Sequence, residues 1–182
     1  MEIINTRAGG VEKFFVDIYN SESDAVFRFC ILRTSDREVA IDLTQDTFMR
    51  FWKYLSVEKE VKNYRALLFT IARNIIIDWY RKKKAFSLEA LVDNTEDNRP
   101  SLTLVAPDNV ETIAEAEFMI RKIGELPELY ATSVYLRCVE ELKPREIAQI
   151  LGEPPNVISV RISRGLEQLR GLLHIANVRT NS

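Results

Sequence analysis

The sequence has few of the residues on which most catalytic and metal sites depend. Its 182 residues include two cysteines, Cys30 and Cys138, and one histidine, His174. Neither cysteine has a second thiol or a histidine at the spacing of a metal site, so we interpret both as reduced thiols. The histidine has no evident partner for a catalytic triad. We therefore predict no catalytic residue, no metal and no cofactor, and we expect that the chain is not an enzyme.

Long apolar segments and strand patterns are absent as well. No window has the 18 or more uninterrupted apolar residues of a membrane span, and the first residues lack a charged leader followed by an apolar stretch. We therefore expect a cytoplasmic protein that does not insert into a membrane. With only six glycines, six prolines and no run of alternating β-branched residues, the sequence predicts an all-α fold.

Apolar positions at three- and four-residue spacing predict eight helices. They cover residues 11–20, 22–33, 37–55, 61–83, 111–124, 128–140, 144–151 and 155–173. The acidic segment 86–110 lacks helical periodicity and is predicted to be a flexible linker. The expected architecture is two small helical domains, 1–85 and 111–182, joined by this linker.

Charge is distributed unevenly along the chain. The net charge of −2 argues against tight nucleic-acid binding by the chain alone. Residues 45–84, however, contain ten Lys or Arg against four Asp or Glu, whereas residues 86–118 contain one Arg against eight acids. Basic and acidic segments therefore alternate along the chain.

The first motif, DLTQDTFMRFW, covers residues 42–52. Its apolar positions predict a buried face that includes Leu43, Phe48 and Phe51. Its outward side chains are then Asp42, Gln45, Asp46, Met49 and Arg50. An outward stripe of mixed charge suits either docking onto another helix or simple exposure to solvent, and spacing alone does not separate the two.

The second motif, IARNIIIDWYRKKK, covers residues 71–84. The helix that contains it is predicted to bury the stripe Tyr64, Leu68, Ile71, Ala72, Ile75 and Trp79. The opposite face then carries Thr70, Arg73, Asn74, Ile77, Tyr80 and Arg81. These donors, cations and an aromatic ring suit binding to a nucleic-acid backbone and bases, or they form a solvated basic face.

The third motif, KPREIAQILGEPPNVISVRISRGLEQLR, has the pattern of a helix-turn-helix. Pro144 suits a first helical turn, Gly152 suits a helix end with positive φ, and Pro154 or Pro155 can start the next helix. The second helix should bury Ile158, Ile162, Gly165, Leu166 and Leu169 against Ile147 and Leu151. Its outward side chains suit a DNA major groove, although a plain helical hairpin in a larger bundle is the alternative.

In this order, the three motifs resemble domains two and four of the extracytoplasmic-function sigma factors, a group of the sigma-70 family of RNA polymerase subunits. The resemblance implies docking on core RNA polymerase, recognition and melting of the −10 promoter element, and recognition of the −35 element. It also implies an anti-sigma factor as a further partner. The polymerase-binding positions are Asp42, Gln45, Asp46, Phe48 and Arg50, of which Phe48 would act by holding the helix.

The same resemblance implies two sets of DNA-binding residues. For the −10 element these are Arg73, Asn74, Asp78, Tyr80 and Arg81, with Lys59, Lys62 and Asn63 in the preceding loop, which would form a pocket for an extruded base. For the −35 element they are Asn156, Ser159, Val160, Arg161, Ser163 and Arg164. Capture of an extruded base would offset the few kcal/mol lost on unstacking it.

The first domain departs from the family pattern at two positions. Leu67 stands where the family usually has Trp, and Thr70 stands where Arg is common. One aromatic ring and one cation are thereby lost at the edge that grips DNA. The cationic run 81–84 can compensate through phosphate contacts, which add to salt dependence and not to sequence choice.

The second domain departs at the helix starts and on the outward face. Lys143 replaces a usual capping Ser, and Pro154 and Pro155 replace Ser with a polar residue. Ser159 and Ser163 stand in place of commonly basic residues. These changes predict an altered approach to DNA and weaker phosphate contacts, so tight binding would depend on the polymerase.

Two other functions remain open on the sequence. The chain could be a stand-alone transcription regulator that uses only the helix-turn-helix, with the N-terminal helices serving dimerisation or sensing. It could also be an enzyme acting on nucleic acid, with Asp42 and Asp46 sharing a metal at helical spacing. Binding of promoter DNA without polymerase would favour the first, and divalent-metal-dependent cleavage would favour the second.

Overall fold

A computed structural model describes the backbone of residues 8–57, 61–89 and 118–180, and the side chains of 10–57, 61–84 and 118–174. The predicted all-α class is confirmed, since these residues form helices and connecting turns without a strand. The helices are α1 (Ala8–Thr34), α2 (Arg37–Val57), α3 (Tyr64–Glu89), α4 (residues 118–124), α5 (Glu128–Cys138), α6 (Pro144–Leu151) and α7 (Pro155–Thr180). The chain divides into two compact units, with α1–α3 in the first and α4–α7 in the second. Residues 86–89, predicted as the start of the linker, are instead helical and end α3, whereas 90–110 of the predicted linker and the predicted helical residues 111–117 lie outside the described residues.

The prediction of two helices over 11–20 and 22–33 was wrong, because α1 is continuous through this stretch. At the predicted break, the Ser21 hydroxyl donates to the Ile18 carbonyl within the helix, and Glu22 is buried against α3, where its carboxylate accepts from Arg65 Nε at 2.8 Å. An ion pair between helices therefore occupies a position where the apolar period is interrupted.

The turn between α1 and α2 is defined by capping groups. Ser35 adopts a left-handed conformation with φ of 57°, and Asp36 Oδ1 accepts the Val39 N–H at 3.1 Å. A carboxylate at this position satisfies one of the donors left open at a helix start. The predicted start of α2 near residue 37 is thereby confirmed.

The core of the first unit is aromatic and lies where α1, α2 and α3 meet. Phe29, Phe51 and Phe69 are fully buried, and the rings of Phe29 and Phe69 meet edge to face at 5.4 Å. The predicted stripe of α3 was partly wrong. Leu68, Ala72 and Ile75 are buried as expected, but Phe69 and Ile76 are buried too, while Tyr64, Ile71 and Trp79 are only half-buried. The helix contacts both α1 and α2 and therefore buries a broader, rotated arc.

In the second unit, α5 packs against α6 and α7. Residues 131–136 of α5 are all buried. The helix α7 approaches α5 closely at Gly165, where an added Cβ would lie 2.5 Å from Val134 Cγ2. Glycine therefore serves this position because it lacks a side chain.

The helix-turn-helix forms as predicted, except that Leu151 and Leu166 of its predicted interface are only half-buried. Pro144 occupies the first turn of α6, Gly152 ends that helix with φ of 68°, and α7 begins at Pro155. Lys143 supplies no side-chain cap for α6. The Glu146 carboxylate instead accepts the Lys143 backbone N–H at 2.7 Å, so the start of α6 is held without a capping serine.

Candidate functional surfaces

The outward face of α2 carries the side chains predicted for docking. Asp42, Gln45, Asp46 and Arg50 are exposed, and Met49 beside them is 56% exposed. Phe48 lies on the other side of the helix and is buried, with its ring 4.8 Å from that of Tyr19 on α1. The structure therefore brings four of the five predicted docking residues to one surface and places Phe48 in the packing beneath it.

An apolar groove between α1 and α2 adjoins this face. Its volume is about 680 Å³. It is lined by Phe15, Val16, Tyr19, Phe48, Met49 and Trp52, with Glu12, Gln45 and Lys53 at polar positions. Sequence reasoning missed the contribution of α1. The exposed Val16 and Tyr19 were the available signal, because they fall outside the stripe that α1 buries.

The polar face of α3 is bonded extensively to its own unit. Tyr80 donates its hydroxyl proton to the Arg33 carbonyl at the end of α1. Arg81 pairs with Asp78 at 3.1 Å, and Arg73 donates to the amide oxygen of the exposed Asn74 at 3.4 Å. These predicted DNA-binding residues thus share one face, and all five take part in contacts made without DNA, of which the Tyr80 bond reaches another helix.

The C-terminal half of α3 concentrates positive charge. Arg81, Lys82, Lys83 and Lys84 are exposed, and Lys83 Nζ lies 5.0 Å above the centre of the Trp79 ring. Trp79 therefore contributes a cation–π contact as well as packing. The cluster lies before the last turn of α3, which contains no basic residue, so it is not placed to offset the helix dipole and is open to a nearby phosphate.

The loop before α3 is only partly described. Lys59 falls outside the described residues, and Lys62 is exposed. Asn63 Oδ1 accepts the Ala66 N–H at 2.9 Å and so caps α3. The amide oxygen of Asn63 is thereby engaged within the fold, in addition to the role predicted for it at DNA.

The outward stripe of α7 has a different character. Asn156, Ser159, Val160, Ser163 and Arg164 are all exposed, at the predicted positions. The sixth predicted residue differs. Arg161 donates to Glu153 Oε1 at 2.9 Å, and its side chain is only 15% exposed. The structure therefore places Arg161 in an ion pair at the start of α7 and not on the stripe.

The two thiols differ in environment. Burial raises the pKa of the Cys30 thiol to about 12, and burial also raises the pKa of Cys138, which is more accessible at the end of α5. Within the described ranges, no group of three or more His, Cys, Asp or Glu is arranged to hold a metal ion. The same residues include no helix long and apolar enough to cross a membrane.

Comparison with known proteins places these surfaces in a family. The family described as Sigma-70 region 2 matches residues 18–86, and Sigma-70, region 4 matches residues 119–169. The ECF RNA polymerase sigma factor SigW of Bacillus subtilis is 30% identical over 167 residues, which cover 88% of this chain and 89% of that protein. The chain belongs to the extracytoplasmic-function sigma factors of the sigma-70 family. Its relative SigM of the same organism is 28% identical, over 86% of this chain and 93% of its own length.

Solved sigma factors share the fold. The sigma factor RpoE of Bartonella quintana, solved with the anti-sigma factor NepR, is 22% identical with a TM-score of 0.68, over 90% of this chain and 98% of that chain. CnrH, solved with the cytosolic domain of CnrY, is also 22% identical, with a TM-score of 0.64 over 92% of each chain. The two matching family regions and the relative SigW confirm the resemblance that the motifs indicated. A stand-alone regulator is not favoured, because both sigma regions are present in order.

Proposed function

We propose that this sigma factor docks on core RNA polymerase through the outward face of α2, opens the −10 element with α3 and reads the −35 element with α7. The observation that carries the proposal is that the two matched sigma regions expose separate polar surfaces on the helices where the motifs predicted them. The chain supplies no chemical step in this role. It acts in the cytoplasm, where polymerase and promoter meet.

Docking uses the mixed charge of α2. Asp42, Asp46 and Arg50 lie one helical turn apart on the exposed face, so a partner helix of complementary charge can meet all of them. Phe48 supports this surface from below by fixing α2 against α1. Charges at the rim of an interface determine which partner binds, and in which orientation, more than they determine affinity.

A charge reversal tests the docking face. Asp46→Lys should weaken assembly with core polymerase by about tenfold. The substitution replaces a carboxylate at the rim of the interface with a cation, which has the same sign as the charge expected on the polymerase. Asp24→Lys is the matched control, since Asp24 is an exposed acid on α1 outside the predicted set and the net charge changes equally. Equal weakening by both variants, measured by fluorescence titration of labelled chain with core enzyme, would remove the docking role from α2.

Opening of the −10 element follows from the exposed polar face of α3. Asn74 offers a donor and an acceptor to an extruded base, and the cations that follow attract the strand by its phosphates. The capture of a base offsets the cost of unstacking it. Binding and strand separation then form one event, at the surface where Tyr80 fixes α3 to α1.

The two DNA-binding surfaces depend on the polymerase. Each is small, and the α7 stripe carries a single cation in its exposed set, Arg164. Mounting both surfaces on one platform raises the effective concentration of the second once the first has bound. Promoter selectivity is therefore a property of the assembly and not of the free chain.

An anti-sigma factor is the expected inhibitor. The RpoE structure contains such a partner, NepR. In this chain the apolar groove between α1 and α2 offers exposed Val16, Tyr19 and Met49 beside the polymerase-docking face. A partner helix seated there would exclude core polymerase by covering the same side of α2.

Run-off transcription tests the proposed function. Purified chain is added to core RNA polymerase on a pool of genomic fragments, and transcript starts are sequenced. The proposal predicts a set of start sites that appears only with the chain and shares two upstream sequence elements. Identical start sites with and without the chain would overturn it.

A further inference from the structure

The outward stripe of α7 has an apolar centre. Asn156, Ser159, Val160, Ser163 and Arg164 follow the spacing of one helix face, and Val160 lies in the middle with 49% of its surface exposed. Among the α7 side chains that the structure describes, 155–174, it is the exposed large apolar residue. Whatever approaches this face therefore meets a pair of methyl groups at its centre.

The hydrogen-bonding groups around Val160 are partly committed within the fold. The Ser159 hydroxyl donates to the Pro155 carbonyl at 3.0 Å, and the Arg161 guanidinium pairs with Glu153. Hydrogen bonding to DNA bases is therefore expected from Asn156 and Arg164, on either side of the centre of the stripe. Each of these lies one helical turn, ~6 Å along the axis, from Val160.

Local structure does not favour valine at this position, because a β-branched side chain has a lower helix propensity than alanine. In the free chain 49% of the Val160 surface remains exposed to solvent. A ligand that covers this surface would add apolar burial. In a DNA major groove, the apolar group that a side chain can cover is the 5-methyl group of thymine.

We propose that Val160 is a specificity-determining residue that recognises the 5-methyl group of a thymine in the upstream promoter element. The inference rests on the proposed function of α7 and adds the chemical group that is read. The thymine lies at a central position of the element, between the base pairs that face Asn156 and Arg164. Discrimination at this position comes from methyl burial and not from a hydrogen bond, so it is modest, about fourfold for one buried methyl group.

The test compares two DNA libraries. Promoter fragments with a randomised upstream element are amplified with either thymidine or deoxyuridine triphosphate, which differ by the 5-methyl group. Each library is selected for binding to polymerase carrying the wild-type chain, Val160→Ala, or Leu129→Ala. Leu129 is a matched control because it is an exposed apolar residue on α5 of the same unit. Alanine favours the helix, so Val160→Ala should fold.

The expected result is a thymine preference at one central position that falls about fourfold in the deoxyuridine library for the wild-type chain and for Leu129→Ala. Val160→Ala should show the lowered preference in both libraries. The inference is overturned if the wild-type preference is the same in both libraries, if no thymine is selected, or if Val160→Ala retains the difference. Selection of no upstream element in any library would instead count against the proposed function of α7.

Discussion

The two predicted DNA-binding helices differ in how firmly their exposed side chains are tied to the rest of the fold. On α3, Tyr80 bonds to the Arg33 carbonyl of α1, whereas the hydrogen bond of Ser159 on α7 stays within its own helix. On α7, the exposed stripe stands apart from the buried face, which packs on α5 through Gly165. A helix that opens DNA must resist the strand it displaces, whereas a helix that reads a groove needs only to present its side chains.

The two helices should therefore differ in whether a substitution changes folding stability, DNA binding or both. Substitutions on the α7 stripe should change DNA preference with little effect on folding, because the stripe makes few contacts with its own unit. Substitutions on the polar face of α3 should often change both. The predictions below test that contrast, from the largest expected effect to the smallest.

The inward side of α7 should carry much of the stability of the second unit. Gly165→Ala should lower the free energy of unfolding by about 1–3 kcal/mol, because its Cβ would meet Val134 Cγ2 at 2.5 Å. Gly171→Ala is the control on the same helix, since nothing lies within 4 Å of an added Cβ there. It should stabilise the chain by about 0.5–1 kcal/mol. Urea denaturation of both variants measures the difference, and a neutral Gly165→Ala would show that α7 and α5 are not closely packed there.

The exposed residues of the two helices should affect different steps. Asn74→Ala should reduce promoter opening by about tenfold, because ~1–3 kcal/mol of hydrogen bonding to an extruded base is lost. Its binding to core polymerase should not change. Arg164→Ala should weaken discrimination at the −35 element by a similar factor and leave opening of a bound promoter intact.

Permanganate footprinting measures opening in these variants, and competition between promoters with intact and scrambled −35 elements measures selectivity. If Asn74→Ala lowered polymerase binding as much as opening, the role assigned to α3 would be wrong. If Arg164→Ala left selectivity unchanged, the stripe of α7 would not be the reading surface.

Removal of the Tyr80 hydrogen bond that joins α3 to α1 should have a smaller effect on stability. Tyr80→Phe removes the hydroxyl that donates to the Arg33 carbonyl and should cost about 1 kcal/mol. Ser163→Ala removes an exposed hydroxyl from the α7 stripe and should change stability by less than about 0.5 kcal/mol. Thermal denaturation of the two variants compares the helices directly. Equal losses of stability would show that the exposed face of α3 is bonded to its unit no more firmly than the stripe of α7.

The buried thiol predicts that the free energy of unfolding declines at alkaline pH. Burial raises the pKa of Cys30 from its ordinary value of 9.0 to about 12, so between these values the unfolded chain loses a proton that the folded chain keeps. Stability contributed by the neutral thiol is therefore lost as the pH rises through this range. The decline in unfolding free energy should be shallower in Cys30→Ala, after correction for its lower starting stability. A slope identical to that of the wild-type chain would exclude this linkage.

Local pattern was sufficient for much of the fold. The bounds of α2 and α6, the starts of α5 and α7, the left-handed Gly152 and the exposed stripes of α2 and α7 all follow from periodicity and capping chemistry. These features depend on residues close in sequence. Their prediction therefore needed no knowledge of tertiary packing.

The features that the sequence did not predict depend on residues far apart or on the orientation of one side chain. The pair of Glu22 with Arg65 joins positions 43 residues apart, and Tyr80 reaches a carbonyl 47 residues away. The rotation of Arg161 toward Glu153 and the apolar groove of α1 and α2 likewise require the assembled helices. Spacing identifies a face, but only packing shows which side chains on that face are already engaged.

The most direct test of the account is promoter affinity measured with and without core polymerase. Labelled DNA carrying both upstream elements is titrated with the chain alone and with the assembled holoenzyme, and each element is then scrambled in turn. The account predicts no selective binding by the chain alone, and selective binding by the holoenzyme that falls when either element is scrambled. Equally tight and selective binding by the chain alone would contradict it.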